Sequence, residues 1–139
     1  MRMYDIKGNL VWKSCSKFKI KWNNPSKSKI QFKVKEFLKK YWMGHECYEE
    51  FPVFGTRMKI DFVNTTKKIA VEVDGPQHSE FNPFFHNNSR LQYFYSIKRD
   101  QCKEDWLIKN NFKLINIQEE DIKKLSLDFI KNNFGINIV

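Results

Sequence analysis

Residues 58–74, MKIDFVNTTKKIAVEVD, leave little choice of local structure. Met58 to Val63 alternates apolar and polar side chains, Ile69 to Asp74 is mostly apolar and β-branched, and the polar NTTKK between them has the length of a turn. Two such runs at that separation predict a β-hairpin. Period-two alternation sorts the second strand: Ile69, Val71 and Val73 on one face, Ala70, Glu72 and Asp74 on the other. The first is a core face. The second puts two carboxylates near the strand's end, where water is within reach.

Asp61 lies on the partner strand, about 4.8 Å away. The register points Asp61 and Glu72 into the same space. Buried carboxylates without partners are costly, and like charges raise each other's pKa. A divalent cation removes both penalties. Oxygen ligands of this kind suit Mg²⁺ (or Mn²⁺), which completes its shell with water and phosphate. The alternative is an exposed hairpin face with solvated acids.

Around the hairpin, Ser28-Lys29-Ile30-Gln31 reads as a capping box opening a helix to about Trp42. Val34, Phe37, Leu38, Tyr41 and Trp42 form its apolar stripe; Gln31 lies on the same stripe and Glu36 opposite. Gly44 is the expected helix stop, and Tyr48 to Phe54 a strand ending at a Gly55-Thr56 turn. A helix from about Leu91 to Asn110, a strand over Phe112 to Ile117, a short helix near Glu119–Leu125 and a last one over Leu127 to Asn133 follow. The expected fold is α/β: one domain with a central mixed β-sheet flanked by helices. Residues 1–27 read as a basic N-terminal arm, with short strands at Leu10–Trp12 and Phe18–Trp22, and residues 28–139 as the main domain.

Charge points to the partner. The chain has 25 Lys and Arg against 16 Asp and Glu, a net +9. Lys13 to Lys40 alone holds ten Lys and one acid, Glu36. A basic stretch of this kind suits a phosphate backbone, and DNA is the expected partner, with Lys19, Lys21, Lys27 and Lys29 as contacts. Cys15, Cys47 and Cys102 form no CxxC pair, which argues against a structural zinc site. Their odd number favours a reducing, cytoplasmic setting. No apolar run approaches membrane-spanning length, so no membrane partner is expected.

His78 follows strand 69–74 after the turn Gly75-Pro76-Gln77. It would hang over the strand's end, where an imidazole can take a proton from attacking water. On the helix after it, Tyr93, Ile97, Asp100, Glu104 and Leu107 fall at 3/4 spacing. Asp100 is therefore expected to face inward and orient His78, or else to pair with Arg57 or Lys103. Together these groups suggest metal-assisted phosphodiester hydrolysis.

The pattern resembles the PD-(D/E)XK nuclease superfamily, in which an acid on one strand precedes E-x-K on the next; here it reads Ile60-Asp61, then Glu72-Val73-Asp74. Ile60 replaces the family's Pro, and Asp74 its Lys. MKIDFVNTTKKIAVEVDGPQH, followed by RDQCKEDWLIKNNFKLINI, is similar to the very short patch repair endonuclease-like group, which includes EDxHD homing endonucleases. The likeness spans roughly Ser28 to Ile122. It implies an αβββαβ restriction-endonuclease-like core and a Mg²⁺-dependent DNA endonuclease of homing, repair or restriction type, of phage or mobile-element kind. It makes Asp61 the metal ligand, completed by Glu72 or the Val73 carbonyl, with His78 the base supported by Asp100. The group's first acid follows S-x-x-E, where this chain has Gln31; Glu50 is the other candidate, since Glu36 faces away. Phe81, Phe84 and Phe85 stand where the repair enzymes wedge aromatic side chains into DNA. A homodimer would let one site per chain cut both strands, though nothing in the sequence fixes it. The alternatives are a non-cleaving nucleic-acid-binding module on the same fold and an RNA endonuclease.

Overall fold

The first helix begins where its cap predicts. In the computed structural model, which describes residues 1–75 and 90–139, Ser28 Oγ accepts the backbone N–H of Gln31 at 3.2 Å and α1 runs Lys29–Trp42. Val34, Phe37, Leu38 and Trp42 are buried along one side, and Glu36 is exposed. The helix ends without a left-handed glycine, since Gly44 has an ordinary φ. His45 N–H instead caps the Trp42 carbonyl at 2.9 Å.

Three antiparallel strands follow: β3 (Cys47–Pro52), β4 (Lys59–Asn64) and β5 (Ile69–Asp74). Gly55, at φ +92°, makes the turn into β4. After α2 (Arg90–Lys109), strand β6 (Lys113–Gln118) lies parallel to β5, with Val71 opposite Ile115 and Glu72 opposite Asn116. The four-stranded sheet is thus mixed, in the order β3-β4-β5-β6, and the element order from α1 to β6 is αβββαβ. A 3₁₀ segment, Glu119–Lys124, and α3 (Leu127–Phe134) complete the fold. Ser126 caps α3, and Gly135, at φ +67°, ends it.

Both sheet faces carry a core. On one, Val34, Leu38 and Trp42 of α1 and Ile130 of α3 meet Phe62, Val71 and Ile115. On the other, Ile60, Val63 and Ala70 meet Trp106 and Leu107 of α2. Ala70 therefore belongs to a second core, where alternation alone suggested a polar face; only Glu72 and Asp74, further along, reach the edge of that packing.

The basic N-terminal segment is folded onto the same body. Strands β1 (Arg2–Tyr4) and β2 (Leu10–Trp12) pair antiparallel, and Met3 and Cys15 enter the α2-side core. Two polar groups at the end of α2 and just past it, Trp106 and Asn110, hold this hairpin. Asn110 accepts the Tyr4 N–H at 2.8 Å and donates to its carbonyl at 3.1 Å, which also receives Trp106 Nε1 at 2.7 Å. The expected strand at Phe18–Trp22 is instead a 3₁₀ turn, Ser16–Phe18, followed by a single bridge from Lys19 to Tyr48. No helix among the described residues is long and apolar enough to cross a membrane.

Candidate carboxylate centre

Sheet pairing lapses at one row. On β3 and β4, Glu49 pairs with Phe62 and Phe51 with Ile60, while Glu50 and Asp61 between them do not pair. On β4 and β5 the ladder runs from Asn64–Ile69 to Phe62–Val71 and stops before Asp61 and Glu72. The same register therefore sets Glu50, Asp61 and Glu72 side by side across three strands. Glu50 sits at φ +53°, a left-handed conformation costly for a non-glycine residue. Its effect on the pleat is visible in the packing. Tyr48 and Phe51, three residues apart, join the same core, as do their partners Val63 and Ile60. Regular alternation would place such pairs on opposite faces, so the pleat shifts phase at Glu49–Glu50 and at Asp61.

Side chains replace the missing ladder. Asp61 N–H donates to Glu72 Oε2 at 3.0 Å, and Val73 N–H donates to Asp61 Oδ2 at 2.8 Å. The outer oxygens meet ammonium groups. Lys103 Nζ of α2 lies 2.9 Å from Glu72 Oε1. Lys27 Nζ lies 3.4 Å from Asp61 Oδ1 and 3.5 Å from Glu50 Oε1, with 62% of its side chain exposed. Burial of Asp61, with Glu72 beside it, pushes its carboxyl up to about 6, against the pull of the Val73 amide and Lys27. Burial works against the charge on Lys27, but Asp61 and Glu50 more than offset it and hold the ammonium above its usual pKa.

A second polar network braces Glu50. Buried Gln31 donates from Nε2 to Glu50 Oε1 at 3.1 Å and to Glu49 Oε2 at 2.9 Å. Glu49 also accepts from Ser26 Oγ at 2.6 Å and pairs with Lys35 at 2.8 Å. Lys35 is 1% exposed, and its ammonium donates to the Asn24 carbonyl at 2.9 Å as well. The two candidates for the first acid are therefore in contact. Gln31 is the neutral brace and Glu50 the carboxylate.

Of the predicted residues, Asp61, Glu72, Val73, Gln31 and Glu50 come together, with Val73 contributing its amide to Asp61. Asp74, half-buried, accepts from Gln118 Nε2 at 3.4 Å and lines a cleft of about 50 Å³ with Glu72, Asp100, Lys103 and Glu104. Asp100 borders this cleft but is exposed rather than turned into the core, as are Ile97 and Glu104. The inner side of α2 is Ser96, Trp106 and Leu107 with Lys103 half-buried, because the helix turns Trp106, with Asn110 just past its end, onto the hairpin. His78, Phe81, Phe84 and Phe85 lie outside the described residues.

Lys103 is the functional side chain that the sequence assigned elsewhere, as a partner for Asp100. Its offset of three from Trp106 would have placed it on the inner side, had Trp106 been taken as the anchor. Beside the row opens a cavity of about 350 Å³ whose lining includes Lys17, Lys19, Lys21, Lys27, Lys59 and Glu50. Lys29, exposed at the start of α1, is not part of this lining. Among the described residues, no group of three or more His, Cys, Asp or Glu side chains converges closely enough to hold a metal ion alone.

No protein-family model matches the chain, and no solved structure matches it. It is similar to "Uncharacterized protein 033L" of Invertebrate iridescent virus 3, with 38% identity over 61 residues, which is 41% of this chain and 31% of that protein. The match thus spans about a third of the relative's length.

Proposed function

We propose that the chain is a metal-dependent endonuclease that hydrolyses DNA phosphodiester bonds, using Mg²⁺ or Mn²⁺. The observation that carries this reading is the row Glu50, Asp61 and Glu72, set where the ladder lapses and beside a lysine-lined cleft. Backbone amides already take one oxygen each from Asp61 and Glu72. The two outer oxygens, Asp61 Oδ1 and Glu72 Oε1, face cations. Mg²⁺ commonly binds through one or two carboxylates with water and phosphate completing its shell, and the burial and like charge that raise the Asp61 pKa are what such an ion relieves. Asp61 and Glu72 would hold it, with Glu50 next in the row.

A bound divalent cation supplies a polarised water and offsets charge developing on the phosphate. The chain's own residues do the rest. Gln31 fixes Glu50, and Lys103 orients Glu72 while presenting positive charge at the mouth of the small cleft. Lys19 and Lys21 track the backbone toward Lys27, which is exposed enough to leave the carboxylates for a phosphate. The resemblance adds His78 as base.

One feature favours a second reading, a nucleic-acid-binding module without cleavage: Lys27 and Lys103 neutralise the carboxylates with no metal at all. Plasmid nicking with Mg²⁺, Mn²⁺ or EDTA separates the two. The nuclease reading expects divalent-dependent nicking by wild type and none by Asp61→Ala or Glu72→Ala. Equal nicking by Asp61→Ala sinks the mechanism. DNA binding by wild type without nicking in either metal supports the module. Competition between matched DNA and RNA identifies the substrate.

A further inference from the structure

A second cavity, larger than the lysine cleft, lies away from the carboxylate row beside the N-terminal hairpin. It measures about 540 Å³. Its floor is the end of the α2-side core, Tyr48 and Phe112 among the buried residues. Its rim carries Arg2, Lys19 and Lys68 against one carboxylate, Glu46, which accepts a hydrogen bond from the Tyr48 hydroxyl. Lys68 Nζ lies 5.0 Å from the centroid of the Phe112 ring.

Trp12 completes the rim and is 67% exposed. It stands directly across the hairpin from Arg2, also exposed. The opposite face of the same strands sends Met3 and Val11 to the core. An indole left in water beside a guanidinium, over an aromatic floor and with an excess of cations, has the make-up of a stacking platform for a nucleic-acid base.

Position links this pocket to the row. Lys19 lines both the pocket and the lysine cleft, and its backbone is bridged to Tyr48. Tyr48 is two residues, about 7 Å, from Glu50 along β3. Phosphates following Lys27, Lys21 and Lys19 therefore arrive at the pocket. We infer that this cavity binds an unpaired nucleotide of the strand held in the lysine cleft, its base stacked on Trp12 and its phosphate met by Arg2 and Lys68. The inference rests on the reading of a nucleic-acid substrate and names a single-stranded flank as the part recognised.

The test is binding in EDTA, which leaves cleavage aside. Fluorescence anisotropy is measured with an oligothymidylate, a blunt duplex and the same duplex with a short single-stranded overhang. Trp12→Ala and the pair Arg2→Ala with Lys68→Ala are compared with wild type, circular dichroism confirming their fold. Trp12→Ala is expected to lose about tenfold or more in affinity for the oligothymidylate and the overhang, with blunt duplex unchanged and Trp12→Phe close to wild type. Wild-type tryptophan emission should be quenched by oligothymidylate, and that of Trp12→Phe much less. Unchanged affinity in Trp12→Ala, or equal loss on blunt duplex, overturns the inference. If that happens while Asp61→Ala still abolishes nicking, the nuclease reading stands. If wild type binds none of the three, the inference falls, and the nuclease reading is decided by divalent-dependent nicking.

Discussion

Asp61→Asn should make the protein more stable while removing its activity. Asp61 is buried, with 8% of its side chain exposed, and it stands against Glu72, with the Val73 amide and Lys27 offsetting part of the charge. Its carboxyl is raised from 3.8 to about 6. A carboxylate whose folded pKa exceeds its unfolded value destabilises the fold once ionised. Stability is therefore fullest below about pH 4, falls as pH rises to about 6, and is level above that. At about 1.4 kcal/mol per unit, the ionised group costs on the order of 3 kcal/mol at pH 7. Asparagine removes the charge and keeps an oxygen to accept the Val73 N–H, and exposed Lys27 can turn to water. Urea unfolding from pH 4 to pH 8 is the assay. The variant should gain on wild type by about 3 kcal/mol above pH 6 and by little near pH 4. Mg²⁺ should close the gap by stabilising wild type alone. A gap independent of pH, or a variant less stable at pH 8, refutes the account of Asp61 as a strained, cation-seeking group.

Two further outcomes follow from other parts of the site. Lys35→Ala leaves Glu49 without its buried cation and should cost about 3–5 kcal/mol in urea unfolding, whereas exposed Lys29→Ala should cost almost nothing. Neutralising Lys19, Lys21 and Lys27 together should make the dependence of log affinity on log salt shallower, by roughly 0.9 for each duplex phosphate these lysines neutralise in the wild type, with the folded state intact by circular dichroism.

What could be read from the chain depended on whether a local rule decided the matter. The Ser28 cap, the α1 stripe and the 59–74 hairpin are set by spacing of a few residues, and they stand as expected. The meeting of Asp61 with Glu72 followed from hairpin register, and that of Gln31 with the strand acids from its place on the buried stripe. The phase shift at Glu50 was hidden, because nothing in the sequence YEEFP marks a left-handed glutamate. The exposure of Asp100 was hidden for a different reason. Two stripes of α2 satisfy the 3/4 rule, and the choice is made by a hairpin roughly a hundred residues earlier in the chain, which takes Trp106 and Asn110. Lys35 was equally illegible: a lysine on a basic helix reads as solvated until Glu49 and the Asn24 carbonyl surround it.

The clasp of Asn110 and Trp106 on Tyr4 has a consequence for how the molecule opens. Strands of three residues each, such as β1 and β2, are marginal as an isolated ribbon, so the hairpin borrows its persistence from α2. The same helix carries Lys103 to Glu72. Hairpin and helix are thus expected to open together in local unfolding. A ligand seated on Arg2 and Trp12 would slow amide exchange along α2 as well as in the hairpin, and the hairpin pocket would be tied to the carboxylate row by shared stability, with no part of it having to move.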